Sequence, residues 1–405
     1  MNIGVGSSTL EYELNAIKPL QPDVPLISET EYRSRIEKAS RLMQNGNIEA
    51  LMLSCSVNLT YFTGLNLHLS ERLQGAIISK RGEIAYIVPA FEKYRTDSMI
   101  KILGQTFIWE EDENPYLAVM DALMDVGAKS GTIAIDENTP YFVFDSLQNF
   151  NLNYSFVNAS KITKTCRERK SQNELMLIKR AMDITLEVQK RTSRILKIGI
   201  STSEVQEFVA LAHKKLGCEK PPDFNIVLFG EATAYPHGVP YSQNLKEGDM
   251  VLLDMGATVG GYYSDITRTY IFGSATEKQR LIWNLERSAQ DQVFKAAQIG
   301  TPCENLDYAA RDCLQKAGLG PGYDTPGLPH RTGHGLGLDV HEHPYIVKGN
   351  TNPLAEGMCF SNEPMICIYN EFGVRLEDHI YMTKNGPEWF TKPAYSIEDP
   401  FGECL

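Results

Sequence analysis

Residues 333–343, GHGLGLDVHEH, concentrate histidines and carboxylates in a glycine-rich run. Glu363 follows in the segment SNEP, and Glu377 follows in VRLED. Imidazole and carboxylate groups at such intervals can hold a divalent cation, or they can form a hydrogen-bonded loop. His334 is the imidazole best placed for a ligand role, because the glycines around it permit close approach of the backbone.

A second pair of carboxylates lies in MVLLDMGATVGGYYSDITRTYIF, where Asp254 and Asp265 lie on either side of a glycine pair and symmetrically about residues 259–260. The pattern predicts a β-hairpin. With residues 259–260 as its two-residue loop, the aspartates would face each other with Cβ atoms about 4.5 to 5.5 Å apart. Like charges at that distance are destabilising unless a positive charge lies between them. Two solvated aspartates beside a turn are the alternative.

Glu363 and Glu377 repeat this arrangement, because they lie symmetrically about Asn370 in a second candidate hairpin. The two hairpins would each offer one pair of carboxylates. Together with His334, the four carboxylates make an oxygen-rich site of the kind that holds two divalent ions about 3.5 to 4 Å apart.

The secondary-structure pattern predicts an α+β protein of two domains. Strand-like runs at 50–55, 75–79, 83–91 and 132–136 surround a helix near 115–126, which indicates a small α/β domain. Longer helical patterns then follow at 172–197, 203–216, 276–298 and 304–317. A charged stretch at 164–174 separates the two patterns, so we place an N-terminal domain at 1–165 and a catalytic domain at 166–405.

The composition of the chain limits the kinds of partner that it can bind. The chain has 405 residues, a net charge of -12 and no block of Lys and Arg. These features argue against nucleic acid and anionic membrane as partners. The first thirty residues lack the pattern of a secretory signal, and no apolar run is long enough for a membrane helix. Scattered cysteines without a CxxC pair predict reduced thiols, so we expect a cytoplasmic protein.

The motifs LLDMGATVGGYYSDITRTY, PHG, LPHRTGHGLGLDVHEHP, SNEP and VRLED resemble those of the pita-bread metallopeptidases, a family that includes prolidase, aminopeptidase P and the metal-free creatinase. The resemblance implies a pita-bread catalytic domain. The segment SVNLTYFTG is similar to the smaller α/β creatinase-like N-terminal domain of the proline-directed members. The resemblance also implies a dinuclear metal centre, whose five ligands would be Asp254, Asp265, His334, Glu363 and Glu377.

The same resemblance assigns roles around the metals. Histidines that line the substrate site in proline-directed members match His237, His330 and His341, and Arg375 matches an arginine of that group. The implied mechanism is attack by a metal-bridging hydroxide, with Glu363 as the proton carrier. His341 would stabilise the carbonyl oxygen and His237 would position the substrate. Oxygen-rich ligation favours Mn2+, and Co2+ or Zn2+ can substitute.

The resemblance leaves several functions open. The first is an Xaa-Pro dipeptidase, which we favour because Arg375 and His330 could bind a free proline carboxylate and the chain is compact. The second is Xaa-Pro aminopeptidase (aminopeptidase P). A metal-free, creatinase-like hydrolase of a small amidine or cyclic amide and a non-catalytic binding protein are weaker, because such relatives lack part of the ligand set. The expected partner is a proline-containing di- or oligopeptide, and the expected assembly is a homodimer.

Overall fold

The computed structural model describes residues 4–20, 24–150, 153–218 and 224–403. The chain divides into a small unit, Ile27–Arg167, and a large unit made of Met1–Leu26 and Glu168–Leu405. The junction lies two residues beyond the boundary expected at 165. The first 26 residues, which the sequence placed in the N-terminal domain, belong with the large unit. Helix α1 (Leu10–Asn15) explains this difference, because its apolar side chains pack against the core of the large unit.

The small unit alternates helices and strands. Its first helix begins at a capping box, in which the side chains of Ser28 and Glu31 bond each other's backbone N–H groups. The helices are α2 (Glu29–Asn45), α3 (Val57–Thr63), α4 (Lys93–Met99), α5 (Pro115–Asp125), α6 (Tyr141–Asn149) and α7 (Ser160–Arg167), with a short 3-10 helix at Ala90–Glu92. The strands are β1 (Ile48–Ser54), β2 (Gly75–Ser79), β3 (Ile84–Pro89), β4 (Gln105–Trp109), β5 (Gly131–Ile135) and β6 (Tyr154–Asn158).

These six strands form one mixed sheet in the order β4-β3-β2-β1-β5-β6. The four predicted strands are the four central ones, whose residues are largely buried. The edge strands β4 and β6 were not predicted. Their residues are mostly exposed or half-buried, so they lack the continuous apolar run that marks a central strand.

The large unit contains the four long helices that the sequence predicted. Three of them begin at capping boxes, which are local signals and therefore readable from sequence. The helices are α8 (Gln172–Ile195), α9 (Thr202–Leu216), α10 (Glu277–Ala296) and α11 (Cys303–Lys316), with a 3-10 helix at Gly230–Ala234.

Antiparallel strands make up the rest of the large unit. They are β7 (Asn225–Phe229), β8 (Met250–Met255), β9 (Thr258–Val259), β10 (Tyr262–Tyr263), β11 (Ile266–Ile271), β12 (Gly333–Gly335), β13 (Glu342–Ile346), β14 (Cys359–Asn362), β15 (Met365–Ile368), β16 (Phe372–Arg375), β17 (Asp378–Thr383) and β18 (Gly386–Trp389). The larger sheets have the orders β11-β8-β7 and β13-β12-β14-β17-β18, and the pairs β9-β10 and β15-β16 form two short ribbons. All five candidate metal ligands lie on or beside these strands.

A buried polar network lies between the two larger sheets. Arg268 on β11 forms an ion pair with Asp378 on β17, and both side chains are fully buried. Gln290 on α10 donates to the carbonyl groups of Asn362 and Leu376 and to the carboxylate of Asp378. Because every bond joins segments far apart in sequence, the network holds the two sheets and α10 in one arrangement.

Among the described helices, none is both long enough and apolar enough to cross a bilayer. The seven cysteines within the described ranges carry free thiols, as the sequence predicted, and Cys404 lies outside those ranges.

Candidate metal centre

All nine predicted site residues line one cavity of the large unit, with a volume of about 740 Å³. They are His237, Asp254, Asp265, His330, His334, His341, Glu363, Arg375 and Glu377. The apolar part of the wall includes Phe224, Ile226, Tyr235 and Val340. The structure therefore brings the predicted polar groups together beside a surface that suits a small apolar side chain.

The first carboxylate hairpin places Asp254 on β8 opposite Thr267 on β11. Its turn is Gly260–Gly261, with φ values of 57° and 82°. The expected loop at 259–260 is therefore wrong by one residue. A tight turn of this kind needs positive φ at both central positions, which β-branched Val259 resists and two glycines supply. Asp265 lies two residues before Thr267, so the two aspartates are diagonal neighbours on one face rather than directly opposed.

The second hairpin has the predicted register. Strands β15 and β16 turn around Asn370, whose φ is 66°, and β14 and β17 continue the same pairing. Glu363 and Glu377 lie at matching positions between these two ladders. The backbone N–H of Glu377 donates to the carbonyl of Thr267 at 3.0 Å, so the second hairpin is bonded directly to the first.

His334 on β12 directs one ring nitrogen at the carboxylates. Its Nδ1 lies 3.0 Å from the carbonyl oxygen of Gly335, which can only accept, so Nδ1 carries a proton in both the neutral and the charged ring. Nε2 then faces Glu363 Oε1 at 3.0 Å and Asp265 Oδ2 at 3.7 Å. A lone pair aimed at two carboxylates is unfavourable unless a proton or a metal cation lies between them.

The glycines beside His334 permit this placement. A Cβ atom on Gly333 would lie 2.0 Å from the carbonyl oxygen of Ser361 on β14. The hydroxyl of Ser361 accepts from the backbone N–H of His334 at 2.8 Å and donates to Glu363 Oε1 at 2.9 Å. Glycine is therefore required for the two strands to approach, as the sequence indicated.

The donor set fits divalent cations. Asp254 Oδ1, Asp265 Oδ1 and Glu377 Oε1 are buried, and none of them has a hydrogen-bond partner among the described residues. Buried carboxylate oxygens without partners are strongly destabilising, and a shared cation would satisfy all three. His334, Glu363 and Glu377 have potential ligand atoms within 4.8 Å of one another.

The pKa values reflect the crowding of negative charge. Burial, followed by the charges of Glu377 and Asp254, raises the pKa of Asp265 well above its usual range. Burial and the charge of Glu363 raise the pKa of Glu377 in the same way. Burial also acts to raise the pKa of Glu363, but the charge of His334 and its hydrogen bond outweigh burial and lower it. Cations in the centre would offset the repulsion among the negative charges of Asp265, Glu377 and Glu363.

Arg375 is buried, and each of its nitrogens has a partner within the protein. Its Nε donates to Thr267 Oγ1 at 3.1 Å, and its Nη1 donates to the carbonyl of Pro236 at 3.0 Å. Its Nη2 forms an ion pair with Asp254. The sequence assigned Arg375 to a substrate carboxylate. The geometry favours a different role, in which Arg375 orients the carboxylate of Asp254.

The three other predicted histidines reach the cavity from loops. The ring of His341 lies 4.0 Å from that of His334, measured between ring centroids. Burial in the cavity wall and the nearby charge of His334 lower the pKa of His341 to about 4, although the residue as a whole is partly open to solvent. His330 bonds the carbonyl of Arg331 through Nδ1 at 2.7 Å, and its Nε2 has no partner among the described residues. His237 is exposed at the cavity mouth.

Four residues near the site carried no usable signal in the sequence. Lys170 and Glu342 form a buried ion pair at 2.6 Å, which anchors the backbone next to His341. Arg331 lies on the cavity wall with its guanidinium 4.5 Å from the ring centroid of Tyr345. His379 has a ring nitrogen close to two of the candidate ligands, Asp265 and Glu377. Only the tertiary structure brings these groups to the site.

Two parts of the chain match known protein families. Residues 176–384 match metallopeptidase family M24, and residues 35–169 match the creatinase/prolidase N-terminal domain. A Bacillus subtilis protein named as a candidate dipeptidase, YkvY, is 31% identical over 357 residues, which cover 87% of this chain and 96% of that protein.

Two solved structures are similar along most of both chains. The prolidase of Thermococcus sibiricus has 31% identity and a TM-score of 0.81, covering 89% of this chain and 97% of its own. The dipeptidase PepE of Mycobacterium ulcerans has 29% identity and a TM-score of 0.82, covering 91% of this chain and 97% of its own.

Proposed function

Because the chain belongs to metallopeptidase family M24 and has its two-domain pita-bread architecture, we propose that it is a dinuclear-metal exopeptidase that hydrolyses Xaa-Pro bonds, with a preference for dipeptides. One observation carries the proposal: two carboxylate hairpins and one imidazole converge on a single cavity, and three of the buried carboxylate oxygens have no partner among the described residues. The proposed ligands are Asp254, Asp265, His334, Glu363 and Glu377.

Members of this family use divalent metals, and we infer that Mn2+ is the native ion here. Four hard carboxylates and one imidazole suit Mn2+, and Co2+ or Zn2+ can be held by the same donors. When bound, the two ions would polarise the scissile carbonyl and make water ionisable near neutral pH. Side chains of the protein would carry out the proton transfer and the positioning of the substrate.

Glu363 is the proposed proton carrier. Its Oε1 is held by Ser361 and faces His334, so one oxygen stays oriented while the other can accept a proton from the attacking water. The same carboxylate would then return the proton to the leaving nitrogen. His341 would donate a hydrogen bond to the carbonyl oxygen as negative charge develops there, and His237 would position the substrate from the cavity mouth.

The nitrogen of an Xaa-Pro bond carries no hydrogen, so a selective site needs no acceptor for it. Shape and apolar contact must then select proline. Phe224, Ile226, Tyr235 and Val340 give the cavity an apolar wall that suits a pyrrolidine ring. This wall supports the proposed preference for proline.

The preference for dipeptides depends on a donor for the free carboxylate of proline. Arg375 is already engaged, so we assign this role to Arg331 instead, because the neutral ring of His330 donates from Nδ1 to the carbonyl of Arg331 and leaves Nε2 able only to accept. Arg331 lines the cavity that holds the proposed metal ligands. An arginine can bind a carboxylate through two parallel hydrogen bonds, which would anchor the end of a dipeptide. The similarity to a prolidase over most of the chain supports the same substrate class.

The metal proposal is tested by removing and restoring cations. Protein stripped by a chelator should lose Xaa-Pro hydrolysis, and added Mn2+ should restore it. His341→Ala should keep the metal content of the wild type while its turnover falls strongly, because it removes a transition-state contact and no ligand. Full activity in protein shown by elemental analysis to be free of metal would refute the proposal and favour the creatinase-like chemistry.

Substrate length is tested with Xaa-Pro, Xaa-Pro-Yaa and Xaa-Ala at equal metal loading. We expect kcat/KM to be highest for Xaa-Pro. We also expect Arg331→Gln to raise KM for Xaa-Pro with little change in metal content. If Xaa-Pro-Yaa is cleaved as well as Xaa-Pro or better, the enzyme is an Xaa-Pro aminopeptidase. Equal cleavage of Xaa-Ala would contradict the proline preference.

We also propose that the protein is a homodimer and that it is cytoplasmic, the compartment to which its scattered cysteines point. Light scattering on the purified protein should give about twice the chain mass of 45.4 kDa. A monomeric mass at micromolar protein concentration would contradict this expectation.

A further inference from the structure

His379 is the fully buried imidazole on β17. It lies opposite Ser361 in the ladder between β14 and β17. Side chains alternate along extended backbone, so His379 lies on the same face as Glu377, two residues earlier. Asp378, between them, faces the other way and pairs with Arg268. The histidine is therefore presented to the candidate metal centre.

Among the residues that the structure describes, the ring of His379 has no satisfactory hydrogen-bond partner. Neither nitrogen of His379 has a hydrogen bond of good geometry among the described residues, and the main chain of Asp265 approaches it only as a weak acceptor. A buried imidazole that leaves water must replace the hydrogen bonds it loses, or it destabilises the fold. Apolar side chains would fill this position at lower cost. The imidazole therefore needs an explanation that packing does not supply.

The distances from His379 to the neighbouring carboxylates suggest that its role is to bind a metal. A ring nitrogen of His379 and carboxylate oxygens of Asp265 and Glu377 lie within 4.8 Å of one another. Donors that share one cation at bond lengths of about 2.0 to 2.2 Å lie up to about 4.4 Å apart, so a small inward shift completes the geometry. Asp265 Oδ1 and Glu377 Oε1 are themselves without partners among the described residues. One cation would satisfy all three groups.

His334 differs from His379 in the direction from which it reaches the centre. The two ring centroids are 6.0 Å apart and the ring planes meet at 70°, so the rings do not stack and each reaches the centre from its own side. His334 faces Glu363 and Asp265, whereas His379 faces Asp265 and Glu377. The carboxylate of Asp265 lies between the two imidazoles.

We propose that His379 is a further metal ligand, binding the cation that Asp265 and Glu377 also hold. The proposal rests on the metal centre proposed above and extends its donor set from one imidazole to two. A second imidazole makes the centre softer, so it should increase affinity for Co2+ and Zn2+ relative to Mn2+. The weak contact with the main chain of Asp265 would then orient the other ring nitrogen, as carbonyl groups commonly do for metal-bound histidines.

The test counts imidazoles bound to Co2+, independently of enzyme activity. Wild-type protein labelled with 15N-histidine and loaded with Co2+ should show two strongly shifted ring N–H signals in proton NMR. His379→Gln should lose one of them, and calorimetry should show Co2+ affinity reduced by about 10-fold or more. His343→Gln is the matched control, because His343 lies outside the lining of the cavity, and it should keep both signals and the wild-type affinity.

Each outcome separates the two proposals. Only one shifted histidine signal in the wild type, or two that both persist in His379→Gln with unchanged affinity, would overturn the role of His379 and leave the five-ligand centre intact. No binding of Co2+ or Mn2+ by the wild type at micromolar concentration would instead refute the metal centre. If circular dichroism shows that His379→Gln does not fold, the wild-type count and the variant His379→Leu decide the question.

Discussion

The two carboxylate hairpins have the same pattern in sequence, but the structure realises them differently. In the second hairpin, Glu363 and Glu377 occupy matching positions around the turn at Asn370. In the first, Asp254 lies opposite Thr267 and Asp265 is displaced along the strand. The difference comes from the turns. Gly260–Gly261 moves the register of the first hairpin away from the symmetric one, whereas Asn370 holds the second at its centre.

This contrast shows which part of a symmetric motif matters for the site. Side chains alternate along a strand, so both aspartates stay on one face of the hairpin despite the shifted register. Both can therefore still reach the same metal centre. The shift also places Thr267 where its hydroxyl donates to Glu377 at 2.7 Å. Cooperation between the hairpins therefore depends on the register that the first hairpin adopts.

The largest effect should follow from removing one proposed ligand from either hairpin. We expect Asp265→Asn and Glu377→Gln each to lower kcat/KM by about 1,000-fold or more, because divalent ions supply several kcal/mol of transition-state stabilisation. Metal content should fall in parallel, measured by elemental analysis. His68→Ala, an exposed histidine in the small unit, is the control. Normal metal content in only one variant would show that the hairpins do not share the centre.

The buried pair between Arg268 and Asp378 should control stability, because it joins a strand of each hairpin. Arg268→Met leaves Asp378 as an uncompensated buried charge, which should lower the free energy of unfolding by about 3 to 5 kcal/mol. Urea unfolding of the metal-free protein measures this. Arg280→Met removes the exposed pair with Glu398 and should leave stability nearly unchanged. If the two substitutions change the free energy of unfolding equally, the buried pair contributes no more to stability than an exposed pair does.

Arg375 links the hairpins within the centre, so its substitution should weaken metal binding. Arg375→Lys cannot contact Thr267, Pro236 and Asp254 together, and we expect metal affinity to fall by about 10- to 100-fold. Titration calorimetry with Mn2+ provides the measurement. If metal affinity stays unchanged while KM for Xaa-Pro rises, Arg375 anchors the substrate, as the sequence alone suggested.

The smallest effects should come from the turns themselves. Gly260→Ala places a side chain at positive φ and brings its Cβ within 2.9 Å of Leu26, so it should lower stability by about 1 to 2 kcal/mol. Asn370→Gly keeps a residue that tolerates positive φ and should change stability by less than about 0.5 kcal/mol. Thermal unfolding compares them. A larger effect at Asn370 would mean that its side chain, and not only its backbone, holds the second hairpin.

Much of the fold was readable from local patterns. Capping boxes at Ser171 and Thr276 begin two of the long helices, because each cap satisfies backbone N–H groups within four residues. Continuous apolar runs predicted the central strands of the small unit. Its edge strands were not predicted, because many of their residues face solvent and no continuous apolar run marks them. The packing of helix α1 against the core of the large unit was missed because it depends on contacts distant in sequence.

The sequence by itself determined nine candidate side chains that line the cavity, since residue types and their order need no coordinates, but it missed Arg331 and His379. It also determined the second turn, whose Asn370 tolerates a left-handed backbone. Tertiary structure alone decided the partners of those side chains. Arg375 meets Pro236 and Asp254 more than a hundred residues away, and the buried His379 meets Asp265 across separate strands. Such contacts depend on register and packing between distant segments, which local patterns do not encode.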